Sequence, residues 1–165
     1  MSAGFINGIL QTNLTGLVYA NGTSAHASAL TYATGIFTPT IIGSTTAGTT
    51  TYTAQDGQYT QIGNRVFFDV FVSFTQTTGT GDIQINDLPF TINNSTSESF
   101  TTAVTTGLAW PNNQGTYLVG KCVNATTNAI IVCYHDTNAP ANMQMPAGAG
   151  TYTINLSGSY QAEET

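Results

Sequence analysis

The sequence predicts an all-β protein built as an antiparallel sandwich, and three observations carry the prediction. Val66, Phe68, Val70, Val72 and Phe74 share one parity, and Tyr152, Ile154, Leu156 and Tyr160 do the same further on. This period of two marks strands with one buried face. Short runs of this kind are separated by Gly, Asn and Thr turn residues, with no amphipathic helical pattern between them, which favours a sandwich. Charged residues make up only 6% of the chain while hydrophobic residues make up 41%. That balance argues against disorder and suits Thr-rich outer sheet faces.

Taken in order, residues 1–34 stand apart. Phe5, Ile6, Ile9, Leu10, Leu14, Leu17, Val18 and Tyr19 are apolar, but Gly4, Gly8, Gly16 and Gly22 interrupt any helix. The segment reads as an extended attachment arm lying on its own domain, a sister subunit or another protein, or else as first strands of the same sandwich. The sandwich domain is placed at 35–165. Gly35 to Thr40 opens it as a strand with an edge proline, Pro39. Asp56-Gly57 reads as a turn. A short strand, a Gly63-Asn64 turn and a long apolar strand from Arg65 follow. The second parity of that long strand holds Arg65, Phe67, Asp69, Phe71 and Ser73. Its two aromatics call for cover by a subunit interface.

Residues 76–81 read as a loop. Ile83 and Ile85 mark a strand that ends in the corner Asn86-Asp87-Leu88-Pro89-Phe90. Short strands are expected over 99–104 and 108–110, and a hairpin of 117–123 with 129–134. A long loop over 138–148 and a closing strand over 151–160 complete the pattern.

The 165 residues suffice for one domain with a substantial core. A formal net charge of −6 with Arg65 and Lys121 as the two cations excludes a nucleic-acid footprint and disfavours anionic membranes. No apolar run approaches the ~20 residues of a membrane span. The N-terminus has no basic region, so no secretion signal is expected. The Asn-x-Ser/Thr sites at Asn13, Asn21, Asn93, Asn94, Asn124 and Asn155 then read as by-products of composition.

Chemistry is sparse. Folded about 127–128, the hairpin would set Cys122 opposite Cys133, as a cross-strand disulfide or as two buried thiols. The thiols are favoured, because a chain without a signal is made in a reducing compartment. His135 and Asp136 are adjacent, so on a strand they point to opposite faces and form no dyad. Arg65 and Asp69 share a face, but a contact between them would be long-range along the strand. Asp56, Asp69, Asp82, Asp87, Glu98 and Asp136 are scattered, and no nucleophile elbow or phosphate loop is present. The expectation is a non-enzyme with no cofactor and no metal. Trp110, followed by Asn112, Asn113 and Gln114 in a turn, suits contact with a glycan or a partner.

Three stretches, Gly35–Thr40, Gly57–Val66 and Gly81–Phe90, together with the closing Gly150–Tyr160, resemble bacteriophage virion jelly-roll proteins of tail-fibre tips and capsid surfaces. The resemblance covers about 130 residues from Gly35 onward. It implies an antiparallel jelly-roll-like β-sandwich in a virion structural protein, commonly a homotrimer, with Phe67 and Phe71 at the subunit interface. A fibre tip is carried by a shaft or adaptor, whereas a decoration protein needs only a compact trimer and gripping arms. With 34 residues ahead of the domain, the expectation is a capsid decoration (cement) protein on the particle surface, with the major capsid protein as partner. A short tail fibre or receptor-binding tip that recognises a host surface glycan is the alternative, and a cellular sugar-binding jelly-roll is the third reading.

Overall fold

The structure is a computed structural model that describes residues 5–6, 9–10, 18–20, 25–27, 31–94, 104–106, 117–134, 141–146 and 150–163. Among these residues there are strands and no helix. The N-terminal pieces form β1 (Phe5–Ile6) with β2 (Ile9–Leu10) and β3 (Val18–Ala20) with β4 (Ala25–Ala27), each pair a two-stranded antiparallel sheet of its own. Where the N-terminal segment is described, it forms these two short antiparallel pairs.

The sandwich is made by β5 (Tyr32–Phe37), β6 (Thr40–Gly43), β7 (Thr50–Ile62), β8 (Arg65–Thr77), β9 (Ile83–Asn86), β10 (Val104–Thr106), β11 (Tyr117–Cys122), β12 (Ala129–Tyr134), β13 (Ala141–Asn142) and β14 (Tyr152–Gln161). One sheet has the order β10-β14-β8-β7-β5. The other has the order β11-β12-β9-β6, with β13 beside β12. Every pairing is antiparallel. The antiparallel β-sandwich read from the sequence is what the chain forms.

The predicted inward parity of β8 holds throughout, since Val66, Phe68, Val70, Val72 and Phe74 are all buried. Tyr152, Ile154, Leu156 and Tyr160 of β14 extend that layer, and Ile41, Ile83, Ile85, Ala129 and Ile131 supply the facing one. Aromatic pairs tie the layer together, with Phe68 tilted on Tyr160 at 5.7 Å and Phe74 stacked on Tyr152 at 5.4 Å.

The Gly63-Asn64 turn is as expected. Gly63 adopts φ 61°, which glycine takes without steric cost. Asp56-Gly57 is not a turn: β7 runs straight through it. The glycine is there for space. A Cβ on Gly57 would lie 2.8 Å from the Phe37 ring, and one on Gly35 would lie 2.7 Å from Tyr59. Gly35 pairs with Tyr59 and Phe37 with Gly57 in the ladder, so each aromatic covers the glycine across from it. Tyr59 then meets Phe90 edge to face at 5.2 Å. β5 itself begins at Tyr32, which pairs with Ile62 of β7.

Two tyrosines fasten one layer to the other. The Tyr160 hydroxyl accepts from the Phe90 amide at 3.1 Å and donates to the Phe90 carbonyl at 3.0 Å. Tyr52 makes the same pair with Ile41, at 2.6 Å to its amide and 3.4 Å to its carbonyl. The corner at Asp87 has φ 65°, and its carboxylate accepts from Thr40 Oγ1 at 2.6 Å and Asn86 Nδ2 at 2.9 Å. These local bonds offset the strain of the left-handed backbone.

The expected long loop over 138–148 is in part structural. Beyond β13, Met143 and Met145 are buried, and their backbones bond to Ile131, Ile83 and Gly81. Asp82 fixes the segment by accepting from Asn142 Nδ2 at 2.7 Å and from Gln144 Nε2. The cysteine geometry differs from the expected one as well. Cys122 pairs with Ala129, and Cys133 with Leu118, which separates the two by about 13 Å along the strands. A disulfide is excluded by that register, and Cys122 is a buried free thiol. Burial pushes its pKa up from 9.0 to about 12, with the charge of Arg65 opposing.

Candidate functional site

The outer face of the β5-β7-β8-β14 sheet collects the exposed large apolar side chains found among the described residues. They are Ile36 (85% exposed), Tyr32 (68%), Phe67 (47%), Ile62 (42%) and Phe71 (37%). Register explains the gathering. Tyr32 pairs with Ile62 and Ile62 with Arg65, while Ile36 pairs with Gln58 and Gln58 with Asp69. All these positions share the solvent-side parity of β8, the face away from the core. Phe67 and Phe71, expected at an interface, both lie here. Tyr32, Ile36 and Ile62 were not singled out from the sequence. The Gly63-Asn64 turn held the signal, because it fixes Ile62 opposite Arg65 and so sets the parity of β7 and β5.

The face has two unlike halves. Toward β5 the large side chains are apolar, Tyr32, Ile36, Ile62 and Phe67, with Thr34 and Thr60 between them. Toward β14 it is polar and forms a two-by-three grid. Asp56, Phe71 and Asn155 make one row, and Gln58, Asp69 and Ser157 make the next. A depression of about 430 Å³ lies beside Ile36 and Phe67, and another of about 260 Å³ lies within the grid. Gln58 and Asp69 line both. A further hollow of about 840 Å³ sits at one end of the sandwich, between the Gly63-Asn64 turn, the Pro89–Thr91 corner and Glu163. Backbone bonds Ala162 N to Asn64 O at 2.7 Å and Glu163 N to Thr91 O at 3.0 Å run between residues that line it.

Asp56 and Asp69 are diagonal neighbours in the ladder, which puts their Cβ atoms somewhat under about 7–8 Å apart. Both are exposed. Of the same-face partners open to it, Arg65 donates to Ser159 Oγ of β14 at 2.7 Å rather than to Asp69. Ser159 is the diagonal neighbour on β14, since Arg65 pairs with Gln161 and Phe67 with Ser159, and at about 7–8 Å it is closer than a partner about 13 Å along the same strand.

No group of three or more potential metal ligands occurs among the described residues. Trp110, Asn112, Asn113, Gln114, His135, Asp136, Leu14 and Leu17 lie outside the described residues. Phe5, Ile6, Ile9, Leu10, Val18 and Tyr19 fall on the N-terminal hairpin strands. No family model, curated protein or solved structure matches the chain.

Proposed function

We propose that the chain is a non-enzymatic structural protein of a virus particle, a capsid decoration (cement) protein that sits on the particle surface as a homotrimer. The observation that carries this reading is the clustering of Tyr32, Ile36, Ile62 and Phe67 on the apolar half of one sheet face. A patch of large apolar side chains marks a contact surface. The resemblance of Gly57–Val66 and Asp87–Phe90 to phage virion domains, commonly homotrimeric, supplies the setting. The interface expected at Phe67 and Phe71 narrows to Phe67 with the β5 side, since Phe71 stands among polar groups. Catalysis is not part of the reading. A general acid needs a carboxyl held away from water, whereas Asp56 and Asp69 are open to it.

Energetics give the N-terminal segment a part. Burying the four side chains yields about 1.5–3 kcal/mol each, against roughly 4–15 kcal/mol for association. The face alone leaves little surplus. Attachment through the apolar residues Phe5, Ile6, Ile9, Leu10, Leu14, Leu17, Val18 and Tyr19 adds to it, on neighbouring subunits or the major capsid protein.

Imaging intact particles with a label on this chain tests the proposal. Copies spread over the capsid support it, whereas a few copies at the tail would make the protein a fibre or receptor-binding tip. Deletion of residues 1–30 spares Thr31, whose carbonyl accepts from Gly63 N at 2.7 Å. The truncated protein should stay folded and no longer join particles. Normal decoration by it would contradict the role given to the segment.

A further inference from the structure

The polar half of the outer face has a chemistry that the assembly reading does not use. Its two rows lie on β7, β8 and β14, in the middle of the sheet. Neighbouring strands are about 4.8 Å apart and same-face positions about 7 Å apart, so the grid spans roughly 10 by 7 Å, the footprint of one or two sugar rings. Phe71 offers an exposed aromatic surface at the middle of one row. The carboxylates of Asp56 and Asp69, the amides of Gln58 and Asn155 and the hydroxyl of Ser157 surround it.

None of these five polar side chains hydrogen-bonds to another described residue, although the positions beyond them do. Arg65 is held by Ser159 at 2.7 Å on one side, and Ser73 by Thr53 Oγ1 at 2.8 Å on the other. The grid is thus a block of unengaged acceptors and donors between self-paired neighbours.

We infer that this grid is a binding site for a neutral glycan. A sugar ring presents an apolar C–H face and a rim of hydroxyls. Phe71 fits the first, and carboxylate and amide groups fit the second. The charge settles which glycans fit. Two carboxylates line the depression and no cation does, so phosphorylated, sulfated or uronate sugars are repelled. A second copy of the chain fits poorly here. Its contact would desolvate two carboxylates, while the cation on this face, Arg65, is held by Ser159 about 13 Å along the strand, and a buried, poorly compensated charge is costly. The grid holds a sugar without cleaving it, because both carboxylates stand in solvent and neither is placed as a general acid.

Affinity electrophoresis of the full chain through gels containing soluble polysaccharide tests the site. The probes are laminarin, glucomannan, xyloglucan and dextran as neutral polymers, with heparin and alginate as anionic ones. At least one neutral polymer should retard the protein, and neither anionic polymer should. Asp69→Ala and Phe71→Ala should each weaken retardation by at least about tenfold, equivalent to ~1.4 kcal/mol. Circular dichroism melting and the solution mass should not change, since both side chains are exposed. Absence of retardation by every neutral polymer would overturn the assignment, as would full retardation of both variants. Loss of the oligomer in Phe71→Ala would also overturn it, by giving the grid to a second copy. The wild-type solution mass reports on the assembly reading separately.

Discussion

Replacing Tyr160 with Phe deletes one oxygen and keeps the ring, so it isolates the hydroxyl that joins β14 to the corner after β9. The ring is fully buried and its packing on Phe68 survives the change. What is lost is a pair of bonds, from the Phe90 amide and to the Phe90 carbonyl. Each orphaned backbone group costs about 1–3 kcal/mol when water cannot replace the partner. The Phe90 bonds are only part-buried, so the lower half of that range applies, roughly 2–4 kcal/mol in all. For a domain of this size each kcal/mol moves the midpoint by about 2–4 °C, so Tm should fall by roughly 4–16 °C. Calorimetry or a circular dichroism melt reads the shift directly. Tyr32→Phe, at an exposed tyrosine, is the control and should stay within about 0.5 kcal/mol of wild type. A Tyr160→Phe midpoint within about 2 °C of wild type would refute the reasoning, because it would mean that the clip adds nothing to the packing.

Stability should also fall in alkali. Burial raises the pKa of Cys122 to about 12 and that of Tyr160 above the usual tyrosine range, so the unfolded chain releases these protons first. The Cys122 contribution is intact below pH 9 and that of Tyr160 below pH 10, and each is lost above that point at about 1.4 kcal/mol per pH unit; urea titrations showing no decline above pH 9 would contradict it. Gly57→Ala should cost roughly 1–3 kcal/mol by forcing the Phe37 ring to move, and a variant as stable as wild type in denaturant would show that the ring yields freely.

Legibility from sequence followed the range of the interactions. The strands from Arg65 and from Tyr152 were plain, because each writes its own burial into a period of two over its whole length. The turn at Gly63-Asn64 and the corner at Asp87 were plain for a similar reason, being set by a few adjacent residues. Asp56-Gly57 misled because a glycine in a strand looks like a glycine in a turn; only the Phe37 ring on the neighbouring strand distinguishes them. The cysteine register was missed by a shift in the hairpin centre, since Asn124 to Asn128 leave room for more than one turn. Met143 and Met145 were assigned to a loop because their partners are distant, at Ile131 and Gly81. The outer face was half legible. Phe67 and Phe71 showed in the parity of one strand, whereas Ile36, Asp56 and Asn155 join them only through pairing between strands.

The central claim is that copies of this chain meet through the apolar half of the outer face, and solution mass tests it most directly. Sedimentation equilibrium at micromolar concentration should give three times the chain mass for the wild type. Ile36→Asp with Phe67→Asp should give the single-chain mass with an unchanged β spectrum, because both side chains are exposed in the subunit. A wild type that sediments as a single chain, or a double variant that remains a trimer, would contradict the account.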